Sequence, residues 1–262
     1  MMSQLIKEWR ERLRLPDPYD HFHPNQYPLD LQGWGSHHPI FEKLITTTEP
    51  KVIIEVGTWK GASALHMASL LREKSLDSII ICVDTWLGGI EHLMRTDDFS
   101  REQFTKSLQN GYPTLYFQFL ANVSHLELQD YIIPIPNTST IASKYLAAFD
   151  VQSDLIYIDA GYDEESVFQD ISHYWKLLKP NGIIFGDDWD PGWYGVICAV
   201  NQFSKEQSIP FKHFQGKWLM HKPPSLGSKT FDNIENRLTE LELRISDIEL
   251  YLMSQQSRSQ DE

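Results

Sequence analysis

The chain is poor in cysteine, poor in basic charge, and has no long apolar run. Cys82 and Cys198 are the only cysteines in 262 residues, and each sits inside an apolar stretch. Inert core thiols are therefore expected, and a disulfide framework is excluded. Such usage suits a reducing cytoplasm, the expected location. Lysine and arginine number 23 against 36 aspartates and glutamates, for a net charge of −13. So acidic a surface argues against nucleic acid or an anionic membrane as partner. It favours solubility and is compatible with a bound divalent cation, which needs carboxylates. No segment approaches the roughly 20 apolar residues of a membrane span. The opening MMSQLIKEWRERLRL is charged throughout and lacks an apolar h-region, so it is not expected to act as a secretory signal.

What the chain does have is enough hydrophobic residues, 41%, for a packed core. Its length allows one sizeable α/β domain with appendages. Leu5, Ile6, Trp9 and Leu13 fall on one helical face within residues 4–14, and Pro16 and Pro18 stop that helix. Residues 16–39 are rich in Pro, His, Tyr and Trp without a clear period, which predicts an ordered arm or lid because the aromatics seek burial. A helical pattern resumes over 39–48. From residue 51 the chain alternates. Strands are expected at 52–56, 78–84, 131–136, 154–159 and 182–188. Helices are expected at 61–72, 140–149, 164–178 and 194–205, with two more in 99–126 broken near Gly111 and Pro113. Residues 211–222 read as a hairpin around Gln215 and Gly216. Short apolar strands alternating with helices imply a doubly wound, Rossmann-like, mostly parallel sheet with an antiparallel edge hairpin.

The tail changes character. KPPSLGSKT is a linker, set at 223–230 beyond a domain spanning 51–222, with residues 1–50 as the N-terminal helix and arm. Phe231, Ile234, Leu238, Leu241, Ile245, Ile248 and Leu252 then recur at alternating spacings of three and four. Such a heptad seam predicts a coiled-coil helix over 231–253 that makes a homo-oligomer. Residues 254–262 are expected to be disordered.

In an open α/β sheet, ligands bind beyond the carboxyl ends of the strands. The residues gathered there are Glu55 and Gly57 after the first strand, Asp84 after the second, Asp159 after the fourth and Asp187–Asp188 after the fifth. The first turn reads E-x-G-x-x-x-G, from Glu55 to Gly61, rather than the G-x-G-x-x-G of a dinucleotide fold. Glu55 would repel a pyrophosphate. Asp84, at the next strand tip, is placed to take ribose hydroxyls. Together they suggest a nucleoside without phosphates, although glycines at a βα turn also serve purely structural ends.

That combination resembles the class I S-adenosylmethionine-dependent methyltransferases over roughly residues 34–222. The resemblance implies S-adenosylmethionine as cofactor, held by Glu55, Gly57, Gly61, Ser63 and Asp84. It adds Ser139, in the segment PNTST, where this fold often contacts adenine. DLIYIDAGYDEESVFQDISHYWKLLKPNGIIFGDDW and YGVICAVNQF resemble one branch of that class. It is the metal-dependent O-methyltransferases similar to macrocin O-methyltransferase and the cephalosporin hydroxylase-like proteins. This branch implies that Asp159, Asp187 and Asp188 hold a divalent cation, Mg²⁺ first, with Mn²⁺ or Ca²⁺ as alternatives. Such a cation would lower the pKa of a bound hydroxyl and orient it. Family members often carry a histidine as base where this chain has Tyr162, a poorer base at pH 7. Asp163 is then the nearest candidate base, with His37 and His38 behind it, unless the metal alone activates the acceptor. Trp59, Trp86, Trp189 and Trp193 flank the strand tips and offer aromatic walls.

The reading is an O-methyltransferase acting on a small-molecule or glycan hydroxyl, of a sugar or glycosylated metabolite. Two alternatives stay open. One is a non-catalytic S-adenosylmethionine-binding scaffold that assembles through its tail. The other is a metal-dependent hydrolase or hydroxylase.

Overall fold

A computed structural model describes residues 3–90, 92 and 98–224. The heptad tail, and the assembly expected of it, lie outside the described residues. Helix α1 (Gln4–Arg12) and α2 (Ile40–Thr48) flank the arm. The alternating part then runs β1 (Val52–Val56), α3 (Ala62–Glu73), β2 (Ile79–Asp84) and α4 (Asp98–Lys106). A two-residue ladder follows, β3 (Leu108–Gln109) with β4 (Tyr112–Pro113), and then α5 (Leu115–His125). The rest is β5 (Ile132–Pro136), α6 (Ser139–Ala148), β6 (Ser153–Ile158), α7 (Glu164–Trp175) and β7 (Leu178–Gly186). It closes with α8 (Tyr194–Gln207), β8 (Phe211–Phe214) and β9 (Lys217–His221).

Seven strands form one sheet in the order β5-β2-β1-β6-β7-β9-β8. The first five pair in parallel, while β9 is antiparallel to both β7 and β8. The antiparallel strand is thus the inner one of the hairpin, and the outermost strand, β8, points the same way as the parallel set. The sheet is apolar on both faces, which is why its strands read as unbroken runs. Ile53, Leu155 and Tyr157 face one core with α2, α3 and α5. Val52, Ile54, Val56, Ile156 and Ile158 face the other with α1, α6, α7 and α8.

The chain winds outward from β1 through β2 to β5, then returns to lay β6 beside β1. Between those two strands the winding reverses, and there a crevice opens at their carboxyl ends. The arm is tied across this crevice. Asn122 on α5 accepts from the Asp30 backbone N–H at 2.9 Å and donates to the Asp30 carbonyl at 2.6 Å and the Lys60 carbonyl at 2.8 Å. The buried Lys60 ammonium meets the Asp30 carboxylate at 2.7 Å. Trp59 donates its indole N–H to Gln32 at 2.9 Å.

Candidate functional site

The crevice holds a cavity of about 450 Å³. Gly57 sits where the winding reverses, at φ +87°, and an added Cβ would lie 1.9 Å from the Asp159 carbonyl oxygen. No residue but glycine fits between the tips of β1 and β6, so the backbone itself forms this wall. Ser63, Asp84, Ser139, Asp159, Tyr162, Asp187 and Asp188 also line the cavity, and the arm adds Trp34 and Ser36.

Glu55, Gly61, Asp163, His37 and His38 lie elsewhere. Glu55 is fully buried behind the cavity wall, on the α3 side of the sheet, where the Ser63 hydroxyl donates to it and Cys82 Sγ lies 3.9 Å away. Burial raises its pKa from 4.5 to about 8, so its side chain is a neutral acid near pH 7. It acts on the cavity only through Ser63. Gly61 ends the turn as the residue before α3, against the ring of Phe119. Asp163 is exposed and caps α7, accepting from the Ser166 backbone N–H at 2.9 Å. Burial pulls its pKa up, but the hydrogen bonds from Ser166 and nearby backbone outweigh this and hold it below the ordinary value. A capped, acidified carboxylate is a poor general base. The His37 ring lies tilted at 57° against that of His66, centroids 4.5 Å apart, and His38 bonds Gln215 at 3.1 Å.

Asp84 is held rigidly. It accepts from the Thr58 and Trp59 backbone N–H groups at 2.9 and 2.8 Å and from that of Trp86 at 2.7 Å. Burial still raises its pKa against these donors. A carboxylate has about four acceptor sites, so three donors leave one for a ligand hydroxyl.

On the β6–β7 side the three aspartates expected to hold a metal meet a cation of the protein's own. The sheet does bring Asp159, Asp187 and Asp188 to one rim. Yet among the described residues no three carboxylate, imidazole or thiol groups converge closely enough to hold an ion. The reason is Lys217, the first residue of β9, which is 1% exposed. Its ammonium forms an ion pair with Asp187 Oδ2 and lies 3.1 Å from the Tyr157 hydroxyl. That hydroxyl lies 2.9 Å from Asp159 Oδ2 and 3.3 Å from Asp187 Oδ2. Asp187 Oδ1 meanwhile accepts from the Asp188 backbone N–H at 2.9 Å. Both oxygens of Asp187 are thus engaged by the protein. A buried ammonium needs that carboxylate as its counter-charge. As arranged, the donor set does not fit the cation. Gly35 of the arm seals the pair, since a Cβ there would stand 2.9 Å from Asp187 Oδ2. Burial first, then the Asp187 charge, raises the Asp159 pKa to about 6, against the opposing pull of Lys217 and the Tyr157 hydrogen bond.

Aromatic walls stand on both sides. Tyr162 stacks on Trp193 at 4.2 Å, beside β6 and β7. Trp59 stacks on His92 at 4.4 Å, beside β1 and β2. Trp86 does not line the cavity. It is buried under the loop and donates to the Trp59 carbonyl at 2.7 Å.

Lys217 and Asp170, a further cavity residue, escaped the sequence reading, though each left a trace. Lys217 alternates in phase with core-facing Leu219, and Asp170 lies in the buried helical stripe Val167, Asp170, Ile171, Tyr174. A charge placed on an apolar phase is the signal.

The comparisons agree with this geometry. A family profile described as a methyltransferase domain matches residues 54–189, and the chain belongs to that family. No curated protein matches the sequence. The O-methyltransferase NovP is 15% identical, with 70% of this chain and 76% of that one covered at a TM-score of 0.51. The O-methyltransferase TomG from Streptomyces achromogenes, involved in tomaymycin synthesis and solved with S-adenosylmethionine, is 11% identical, with 86% and 92% covered at a TM-score of 0.50. Cofactor-bound Rv0187 from MTB is 11% identical, with 85% and 91% covered at 0.52. At such identities the likeness is one of fold.

Proposed function

We propose that this methyltransferase moves a methyl group from S-adenosylmethionine to a hydroxyl of a small-molecule acceptor. The observation that carries the reading is the cavity where the winding reverses, with a side-chain-free wall at Gly57 and carboxylates at Asp84 and Asp159 on either side. Its volume suits a nucleoside-sized ligand. Asp84 would hold ribose hydroxyls, and Gly57 and Ser63 would line the amino-acid part. When bound, the donor supplies an electrophilic methyl on a sulfonium. Asp159 is the base in this reading, in place of Asp163 or Tyr162. It faces the cavity, and its Oδ1, not used by Tyr157, accepts the proton of the acceptor hydroxyl. Tyr162 and Trp193 give that acceptor an apolar face to lie on. Positioning contributes much of the rate in such a transfer.

The divalent cation implied by the resemblance has no part in this reading, because Lys217 already supplies the positive charge at Asp187. The acceptor class proposed from the resemblance is a sugar or glycosylated metabolite. Radiolabelled methyl transfer to a panel of glycosides and phenols tests the reaction, with titration of S-adenosylhomocysteine testing the donor. Wild type is expected to bind the homocysteine product, and Asp84→Ala to lose most of that affinity. Equal binding by the two proteins would sink the donor assignment. Tight, stoichiometric Mn²⁺ binding abolished by Asp188→Asn would restore the metal.

A further inference from the structure

The place of Lys217 follows from strand direction. The β7–β9 register pairs Gly186 with Trp218, so the next step sets Lys217 beside Asp187. Only an antiparallel strand brings its first residue to the rim where the parallel strands end. There the ammonium is enclosed. Nζ lies 5.4 and 5.1 Å over the Phe41 and Tyr157 rings, and a Cβ on Gly35 would stand 3.2 Å from it. A lysine this buried is stable only with its counter-charge beside it.

The hydrogen bonds of the ammonium have a direction. It donates to Asp187 Oδ2 and to the Tyr157 hydroxyl oxygen. That hydroxyl has one proton to give, and Asp159 Oδ2 at 2.9 Å is a nearer acceptor than Asp187 Oδ2 at 3.3 Å. The ammonium thus holds Asp187 directly and Asp159 through Tyr157. Counter-charge and fixed orientation are what a divalent ion gives to clustered carboxylates. An ion on Asp187 would stand next to the ammonium, and like charges repel strongly in a buried site. Ion and ammonium are therefore alternatives at this rim.

We propose that Lys217 takes the place of a divalent cation and is the positioning residue of the transfer, aiming Asp159 through Tyr157. The assignment rests on the base role given to Asp159 above and adds the group that orients it.

The test is a swap of cations. Chelator-treated wild type, Lys217→Ala and Lys217→Ala/Asp187→Asn are titrated with Mn²⁺, free ion being read by electron paramagnetic resonance, and melted with and without it. Wild type is expected to bind no stoichiometric Mn²⁺ and to melt at an unchanged temperature. Lys217→Ala leaves Asp187 without a counter-charge, so it should gain one Mn²⁺ at least about tenfold more tightly than wild type. Its melting temperature should rise with the ion, and Asp187→Asn should remove the gain. Lys217→Gln, which keeps much of the stem, repeats the measurement where alanine does not fold. Stoichiometric Mn²⁺ binding by wild type overturns the proposal, as does a folded Lys217→Ala that gains no ion, or a gain that survives Asp187→Asn. With an acceptor from the panel above, kcat of Lys217→Ala should fall by about a hundredfold while KM moves little, and Mn²⁺ should recover part of the loss in this variant alone. A variant that gains the ion yet keeps the wild-type kcat shows the ammonium to be structural only, and the positioning role falls. Titration of S-adenosylhomocysteine on the same proteins keeps the readings apart. Failure of wild type to bind it overturns the donor reading and leaves the Mn²⁺ result standing.

Discussion

Two buried ionisable groups shape the site without touching a ligand. Glu55 carries its proton in the fold up to about pH 8 but releases it near 4.5 when unfolded. Between those values the folded state binds more protons, so stability from this group is full below about 4.5 and is lost as pH rises toward 8. Glu55→Gln should therefore flatten the fall of stability from pH 5 to 8, by up to about 1.4 kcal/mol per pH unit. Denaturant melts of both proteins at several pH values check this, and parallel curves would refute the neutral-acid assignment. Lys217 is the second group. Removing one partner of a buried ion pair costs about 3–5 kcal/mol, because the other charge is left without compensation. Lys217→Met and Asp187→Asn should each cost stability on that scale, and the double variant less than their sum. Strictly additive losses in a double-mutant cycle would show that the pair does not couple.

At the scale of elements, the arm is what turns an open crevice into a cavity. Trp34 and Ser36 reach the site from an arm whose Asp30 is anchored by Asn122 on α5 and by Lys60 in the first turn. Asn122 is fully buried and serves three backbone groups. Asn122→Ala strands those groups, at about 1–3 kcal/mol for each one left unsatisfied. The expected result is faster proteolytic cleavage within residues 16–39 and weaker binding of S-adenosylhomocysteine, with the sheet intact by circular dichroism. Unchanged cleavage and affinity would mean that the arm is held by its aromatic contacts instead, such as the stack of Phe22, Tyr27 and Phe117 at 6.1–6.5 Å.

At the scale of the whole molecule, no helix among the described residues is long and apolar enough to cross a membrane. The heptads of 231–252 predict a parallel coiled coil. Arg237 and Arg244 fall at g, and Glu242 and Glu249 at the e positions that parallel chains bring opposite them. Phe231 with leucine at several a positions, and isoleucine at two d positions, favours three or four chains over two. Light scattering should give an oligomer for the full chain and a monomer for residues 1–226. An oligomeric mass unchanged by the truncation would reject the tail as the assembly element.

Local order of the chain is what the sequence determined by itself. Period and punctuation fix strands such as VIIEV and IIICVD, because burial on both faces demands continuous apolar runs whatever their neighbours are. Placing carboxylates at strand ends likewise needs no long-range knowledge, so Asp84, Asp159 and Asp187 were legible. Which way each carboxylate is satisfied was not. Glu55 turns to Ser63 because its strand phase faces α3, and Asp187 turns to Lys217 because β9 inserts beside β7. Lys217 lies 30 residues further along the chain than Asp187. A pairing over such a separation depends on strand order, which no local pattern encodes. The carboxylate-bearing rim follows from the sequence, while the charge balance within it is a property of the folded sheet.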